Sequence, residues 1–171
     1  MKIRRINDRD IDALYRVYSD PLGCKWVGDG LPITKEACER WVVVTQNNYK
    51  QRGYGMFAVE LIEDTQSQGD RGRAIGFCGL VHPGGQEVAE IKYALNRSLW
   101  GQGFGVELAG AMLTYALDRL DIDRVIATIA PQNAASIRIV ERIGMTRTDP
   151  RQEDDGSVTE VYEITSNARL I

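Results

Sequence analysis

Between Leu99 and Glu107 the chain reads LWGQGFGVE, with Gly101, Gly103 and Gly105 at alternate positions between a strand-like segment and a long amphipathic one. Glycines let a backbone take φ > 0 and let a bulky group approach the main chain closely. A strand that passes through such a loop into a helix presents unpaired N–H groups at the positive end of the helix dipole. The chemistry on offer is main-chain binding of a phosphate. A tight strand-to-helix turn with no ligand is the plainer use of the same residues.

Two common phosphate motifs do not fit. For GxGxxG, the third glycine position falls on Val106 counting from Gly101 and on Leu108 counting from Gly103. Asp121 and Asp123 lie roughly 20 residues on, where a ribose-binding acid would sit, but the rest of a doubly wound sheet cannot fit in what remains. The pattern GxxxxGK[ST] is absent, which argues against a kinase or NTPase. His82 precedes Pro83-Gly84-Gly85 and reads as a turn residue, and no GxSxG supports Ser-His-Asp hydrolysis. Cys24, Cys38 and Cys78 are odd in number and lack CxxC spacing, so neither a disulfide scaffold nor a metal site is expected, and the compartment reads as reducing.

The elements around these residues follow from periodicity. Lys2 to Ile6 reads as a strand, and Asn7 or Asp8 caps a helix with Ile11, Leu14, Tyr15 and Tyr18 on one face, ending at Pro21. Residues 20–32, DPLGCKWVGDGLP, form a flap or a packed connector that carries Trp26. Thr34 caps a second helix running to about Gln51, with Trp41 at core spacing. Strands follow at Tyr54 to Ile62 and Arg73 to Val81, joined by the polar loop 63–72, and then at Glu87 to Leu95. Ala109, Met112, Leu113, Ala116, Leu117 and Leu120 mark a helix from Gly105 to near Asp121. Arg124 to Ala130 is a strand. Asn133 caps a helix ending at Gly144, and strands at Met145 to Asp149 and Val158 to Thr165 complete the chain. The order β-α-α-β-β-β-α-β-α-β-β predicts an α/β (α+β) fold, a mixed sheet of about seven strands with about four helices.

Length and composition, 43% hydrophobic and 26% charged, suit a single domain over residues 1–171. The net charge of -3 and the scattered basic residues argue against nucleic acid as partner. The charged opening, Lys2-Ile3-Arg4-Arg5-Ile6, is unlike a signal peptide, and no long apolar run follows. A soluble cytoplasmic protein with no membrane partner is expected, as a monomer or as a homodimer through an edge strand.

WGQGFGVE resembles the [QR]xxGx[GA] acetyl-CoA loop of the GNAT N-acetyltransferase superfamily, and NAASIRIVERIGM, residues 133–145, resembles its later motif NxxSxxxxxxxGF. The two stand at the family's usual separation. With AEIKYAL as the preceding strand, the chain looks most like the RimJ/RimL-type branch, which acetylates ribosomal-protein N-termini. The resemblance implies a GNAT fold with a mostly antiparallel sheet, acetyl-CoA as cosubstrate, no metal, and direct transfer to an amine acceptor, either a peptide N-terminus or a small molecule. It implies that the backbone of Gln102, Gly103, Phe104, Gly105 and Val106 holds the pyrophosphate. Tyr93 and Leu95 would pair by main chain with the pantetheine arm where two strands splay apart. Asn133 and Ser136 would lie near the pantetheine and the sulfur.

By the same resemblance Glu90 stands where related enzymes often carry the base, although Glu87 and Glu90 also flank Val88-Ala89 as surface charges would. Ser136 can equally satisfy donors in a first helical turn. Trp100 replaces the motif's Arg or Gln, and IRIVERIGM has no tyrosine to act as acid. Trp26 is the candidate acceptor contact. A non-catalytic acyl-CoA sensor would keep Gly103 and Gly105 yet need neither Glu90 nor Ser136. A nicotinamide-dependent oxidoreductase would instead bind NAD(H).

Overall fold

A computed structural model describes residues 1–28, 30–62, 73–153 and 155–169. The expected loop at 63–72 lies outside the described residues, as do Asp29 of the flap and Asp154 of the last turn. The chain falls into two compact units, residues 1–79 with 92–104, and residues 80–91 with 105–171. Strands β3 and β4 below pass from one unit to the other.

In the first unit β1 (Lys2–Arg5) pairs antiparallel with β2 (Met56–Glu60), which pairs antiparallel with β3 (Gly76–Val81). The later part of β4 (Ala89–Leu95) lies beside the start of β3, where the Asn96 N–H donates to the Ile75 carbonyl at 2.8 Å. These strands approach so closely that β3 needs bare backbone. A Cβ on Gly76 would lie 2.5 Å from the Ala94 carbonyl oxygen, and one on Gly79 would overlap the Gly55 carbonyl and sit 2.5 Å from Met56 Cα. Backbone on both sides cannot step aside. Gly79→Ala is therefore expected to lower unfolding stability by about 3 kcal/mol, read as a drop in the urea midpoint at unchanged m value.

Side chains cap two helices of this unit and the 3-10 turn that leads into the first, which has no cap of its own. The Asn7 side chain accepts the Arg9 N–H and the Asp10 carboxylate accepts the Asn7 N–H, a reciprocal box that opens the turn before α1 (Ile11–Tyr18). The helix buries Ala13, Leu14, Val17 and Tyr18 and leaves Tyr15 42% exposed, so the face is turned from the predicted one. Asp20 caps α2 (Pro21–Cys24), a turn that was expected to be loop. Thr34 caps α3 (Lys35–Arg52), which ends at Gly53 with φ 81°. Cys38, Val42, Thr45 and Tyr49 face inward, and Trp41 packs edge-to-face on Tyr18 at 4.8 Å. Val43 and Val44 are exposed, so the poor helical run is carried by burial of its neighbours. The buried Tyr49 hydroxyl accepts the Ile6 N–H and donates to the Met56 carbonyl, tying α3 to β1 and β2.

In the second unit β5 (Arg124–Ile129) pairs in parallel with the start of β4, Ala89 opposite Val125 and Glu90 opposite Ile126. It pairs antiparallel with β8 (Val158–Thr165) from Arg124↔Thr165 to Ile129↔Glu160. Two short strands, β6 (Thr146–Arg147) and β7 (Arg151–Gln152), complete β8's pairing. Helix α4 (Phe104–Arg119) buries Ala109, Met112, Leu113, Ala116 and Leu117 as their spacing predicted and Leu108 besides, while Leu120, expected on the same face, lies past the helix end and is half-buried. Helix α5 (Ala134–Arg142) buries Val140 and is followed by Gly144 at φ 87°. The described residues form eight strands and five α-helices, the additions to the expected order being β7 and α2. Among the described residues no helix is long and apolar enough to cross a membrane.

Candidate functional site

After Leu95 the chain makes a short 3-10 turn at Arg97–Leu99, opened by the Asn96 side chain, which accepts the Ser98 N–H. The Trp100 indole N–H then donates to the Leu95 carbonyl at 2.9 Å, and the Gln102 side-chain amide donates to the Ser98 carbonyl at 2.9 Å. These bonds fix the loop that leads into α4. Gly101 and Gly103 have φ 73° and 86°, and a Cβ on either would meet nothing within 4 Å, so the space beside the loop is open. Gly105 corrects the reading that all three glycines serve φ > 0. It has no positive φ, and its added Cβ would lie 2.7 Å from Ile139 Cδ1, so its bareness seats the first turn of α4 on α5. The opening N–H groups of α4 have no partner within the helix, as at any helix start.

The Leu95 carbonyl, on the strand expected to pair with the pantetheine arm, accepts the Trp100 indole N–H. Trp100, the departure from the motif, thus braces the end of β4. Tyr93 lies half-buried on the same strand. Trp26 is 39% exposed with the Lys25 ammonium 4.7 Å above its ring, and Asp20, at the start of its segment, pairs with Arg97 at 3.1 Å. That ion pair ties the start of the 20–32 segment to the turn before the glycines.

Glu90 is not a surface charge. It is 1% exposed while Glu87 is exposed, and a buried carboxylate is costly unless donors hold it. The Thr128 hydroxyl donates to Glu90 Oε1 and the Gln86 amide donates to Oε2 at 3.3 Å. Gln86 also donates to the Val88 carbonyl at 2.9 Å, and its own oxygen accepts from Arg151 Nη1 at 3.5 Å. None of Gln86, Thr128 and Arg151 is marked by a motif. Only the β4–β5 register, which sets Glu90 opposite Ile126, announces Thr128 two residues on, on the same face.

Asn133 caps α5 as expected, and its partner there is Ser136. Asn133 Oδ1 accepts the Ser136 N–H at 3.2 Å and Nδ2 donates to Ser136 Oγ at 3.1 Å. Asn133→Ala removes the cap of α5 and is expected to lower stability by about 1 kcal/mol in urea unfolding. His82 Nδ1 bonds the Gln86 carbonyl at 2.9 Å, closing the 83–85 turn as a structural residue would. Among the described residues no cluster of His, Cys, Asp or Glu is placed to hold a metal ion.

The family model described as acetyltransferase (GNAT) domain matches residues 1–146. The chain belongs to the GNAT acetyltransferase family. This acetyltransferase is 34% identical over 148 residues to the uncharacterized protein YkkB of Bacillus subtilis (strain 168), covering 85% of the chain and 81% of YkkB. Its fold matches the GNAT-family acetyltransferase of Bacillus anthracis with a TM-score of 0.77 at 25% identity, over 96% of this chain and 94% of that one. It also matches AAC(6')-Ib solved with paromomycin and acetyl-CoA, with a TM-score of 0.78 at 20% identity, over 98% and 94% of the two chains. The last likeness shows the fold alone. The acetyltransferase thus has the GNAT fold that its two glycine- and asparagine-led motifs implied.

Proposed function

We propose that this acetyltransferase transfers the acetyl group of acetyl-CoA to the α-amine of a protein N-terminus, in the manner of the RimJ/RimL-type branch, by direct attack within a ternary complex. The observation that carries the reading is the loop Gly101–Val106, where positive φ at Gly103, open space beside it and the positive, N-terminal end of α4 suit a pyrophosphate. The family match and the acetyl-CoA bound by AAC(6')-Ib support the cosubstrate.

Acetyl-CoA supplies the activated acetyl group. The backbone of Gln102, Gly103, Phe104, Gly105 and Val106 binds the diphosphate without the basic side chain that Trp100 displaces. The main chain of Tyr93 and Leu95 pairs with the pantetheine amides, and a strand N–H near Tyr93 or Ala94 steadies charge on the acyl oxygen. Glu90 takes the proton of the acceptor ammonium. Buried as it is and held by Thr128 and Gln86, it does so through an intervening water. Ser136, oriented by Asn133, lies by the sulfur, and Trp26 contacts the acceptor. Holding the amine against the thioester supplies much of the rate.

The test is free-thiol release from acetyl-CoA with two acceptor panels, short peptides with free α-amines and small amines including an aminoglycoside. Turnover confined to the peptides supports the reading. Turnover only with small amines moves the acceptor to that class, and no turnover with either panel despite acetyl-CoA binding overturns it.

A further inference from the structure

On the first unit, between α1 and the strands β1 and β2, lies a cavity of about 520 Å³ that the acetyl-transfer site does not use. Four guanidiniums and three carboxylates line it. The acids at its floor are already satisfied. Arg4 donates through both terminal nitrogens to Asp10 at 2.7 Å each and through Nε to Glu60 at 2.5 Å, and the Asn7 N–H adds a bond to Asp10. Asp10 is 2% exposed and Glu60 9%, so this network is a sealed wall and not a cation site.

The rim is different. Arg9, Arg16 and Arg73 line the cavity, are exposed, and have no ion pair with any described residue. The remaining acid, Asp12, is bonded by Lys35 at 2.8 Å. Its carboxyl is held below the ordinary range by Lys35 first, with weaker pulls from Arg16 and Arg73, so three cations converge on one carboxylate. In a chain of net charge -3 this is a local excess of positive charge. Guanidinium forks match phosphate oxygens two at a time. The volume falls within the range of small-molecule sites and exceeds what a bare phosphate ion fills. Tyr15, on the same wall, is 42% exposed and offers an aromatic face for an organic body.

We propose that this cavity binds a small organic phosphate, its phosphate gripped by Arg9, Arg16 and Arg73 and its body laid on Tyr15. The site stands on residues other than the glycine loop, and so does not depend on the proposed function. Phenyl phosphate is the probe, with phenol, inorganic phosphate and chloride as companions at matched ionic strength, and thermal midpoint is the readout. The full chain is compared with Arg9→Gln/Arg16→Gln/Arg73→Gln, whose changes are confined to exposed side chains, and with Gly103→Glu, which blocks the glycine loop. Saturating phenyl phosphate is expected to raise the midpoint by roughly 3 °C or more in the wild type and in Gly103→Glu. Inorganic phosphate should raise it less, phenol not at all, and the triple variant should lose the response. Equal responses in wild type and triple variant overturn the proposal, and so does a response that Gly103→Glu abolishes, which would place the phosphate on the glycine loop.

Discussion

Glu90→Gln is expected to lower kcat by about 100-fold or more while acetyl-CoA affinity stays within about twofold. The substitution keeps the side chain's shape inside the sheet. A glutamine can still accept from Thr128 through its oxygen, while its amide faces that of Gln86, which cannot turn without giving up its bonds to Val88 and Arg151, so a melting curve of the variant is run beside the kinetics. Glu90→Ala would be a poorer test, since it strands the donors of Thr128 and Gln86 in a buried site and mixes a stability loss of about 1–3 kcal/mol with the kinetic effect. The measurement is steady-state kinetics across pH with a peptide acceptor, beside calorimetric titration of acetyl-CoA. Loss of kcat with a changed pH profile at undiminished acetyl-CoA affinity supports Glu90 as the base. Full activity with an unchanged profile removes Glu90 from the chemistry and leaves it a structural carboxylate.

Gly103→Glu is expected to weaken acetyl-CoA binding by at least about 10-fold. Two effects point the same way. A residue with a Cβ is strained at φ 86°, and a carboxylate set beside a bound diphosphate repels it by up to roughly 4 kcal/mol at close range in a partly shielded site. Because a Cβ at Gly103 meets nothing within 4 Å, the damage falls on the ligand's space and not on packing. Gly105→Ala supplies the contrast. There the added atom presses on the flexible end of Ile139, so its cost appears in thermal stability before it appears in affinity. Calorimetry of both variants with acetyl-CoA, alongside their melting curves, separates the two roles. An unchanged affinity in Gly103→Glu would show that the loop is only a turn.

What could be read in advance was what local rules govern. Gly101 and Gly103, the inward face of α4 and the Asn133 cap each follow from conformational freedom, helical period or hydrogen bonding a few residues apart, and the structure places them where those rules put them, whereas Gly105 is bare for its contact with Ile139 and not for φ. The residues that escaped notice depend on distant partners. Thr128 and Gln86 matter because strand pairing sets Thr128 on the face of Glu90, and nothing within either segment signals it. Arg151 and Gln152 are polar and unpatterned, and form β7 only because the edge of β8 offers Thr159 and Val158 as partners. The α2 turn was hidden by its composition, although Asp20 as cap and Pro21 at the first helical position were both in view. In α1, Val17 took the inward place expected of Tyr15, since a rotation of about a quarter turn keeps Leu14 and Tyr18 inside and satisfies the same spacing.

The placement of the tryptophans has a spectroscopic consequence. All three, Trp26, Trp41 and Trp100, belong to the first compact unit, and the second carries none. Intrinsic emission excited at the indole band is therefore a one-sided probe: it follows the loss of residues 1–79 and 92–104, while far-ultraviolet dichroism follows helices and strands of both units. Coincidence of the two melting curves is the condition for treating this enzyme's unfolding as one transition, and a dichroism signal that lags the emission would expose the second unit as a separately melting body.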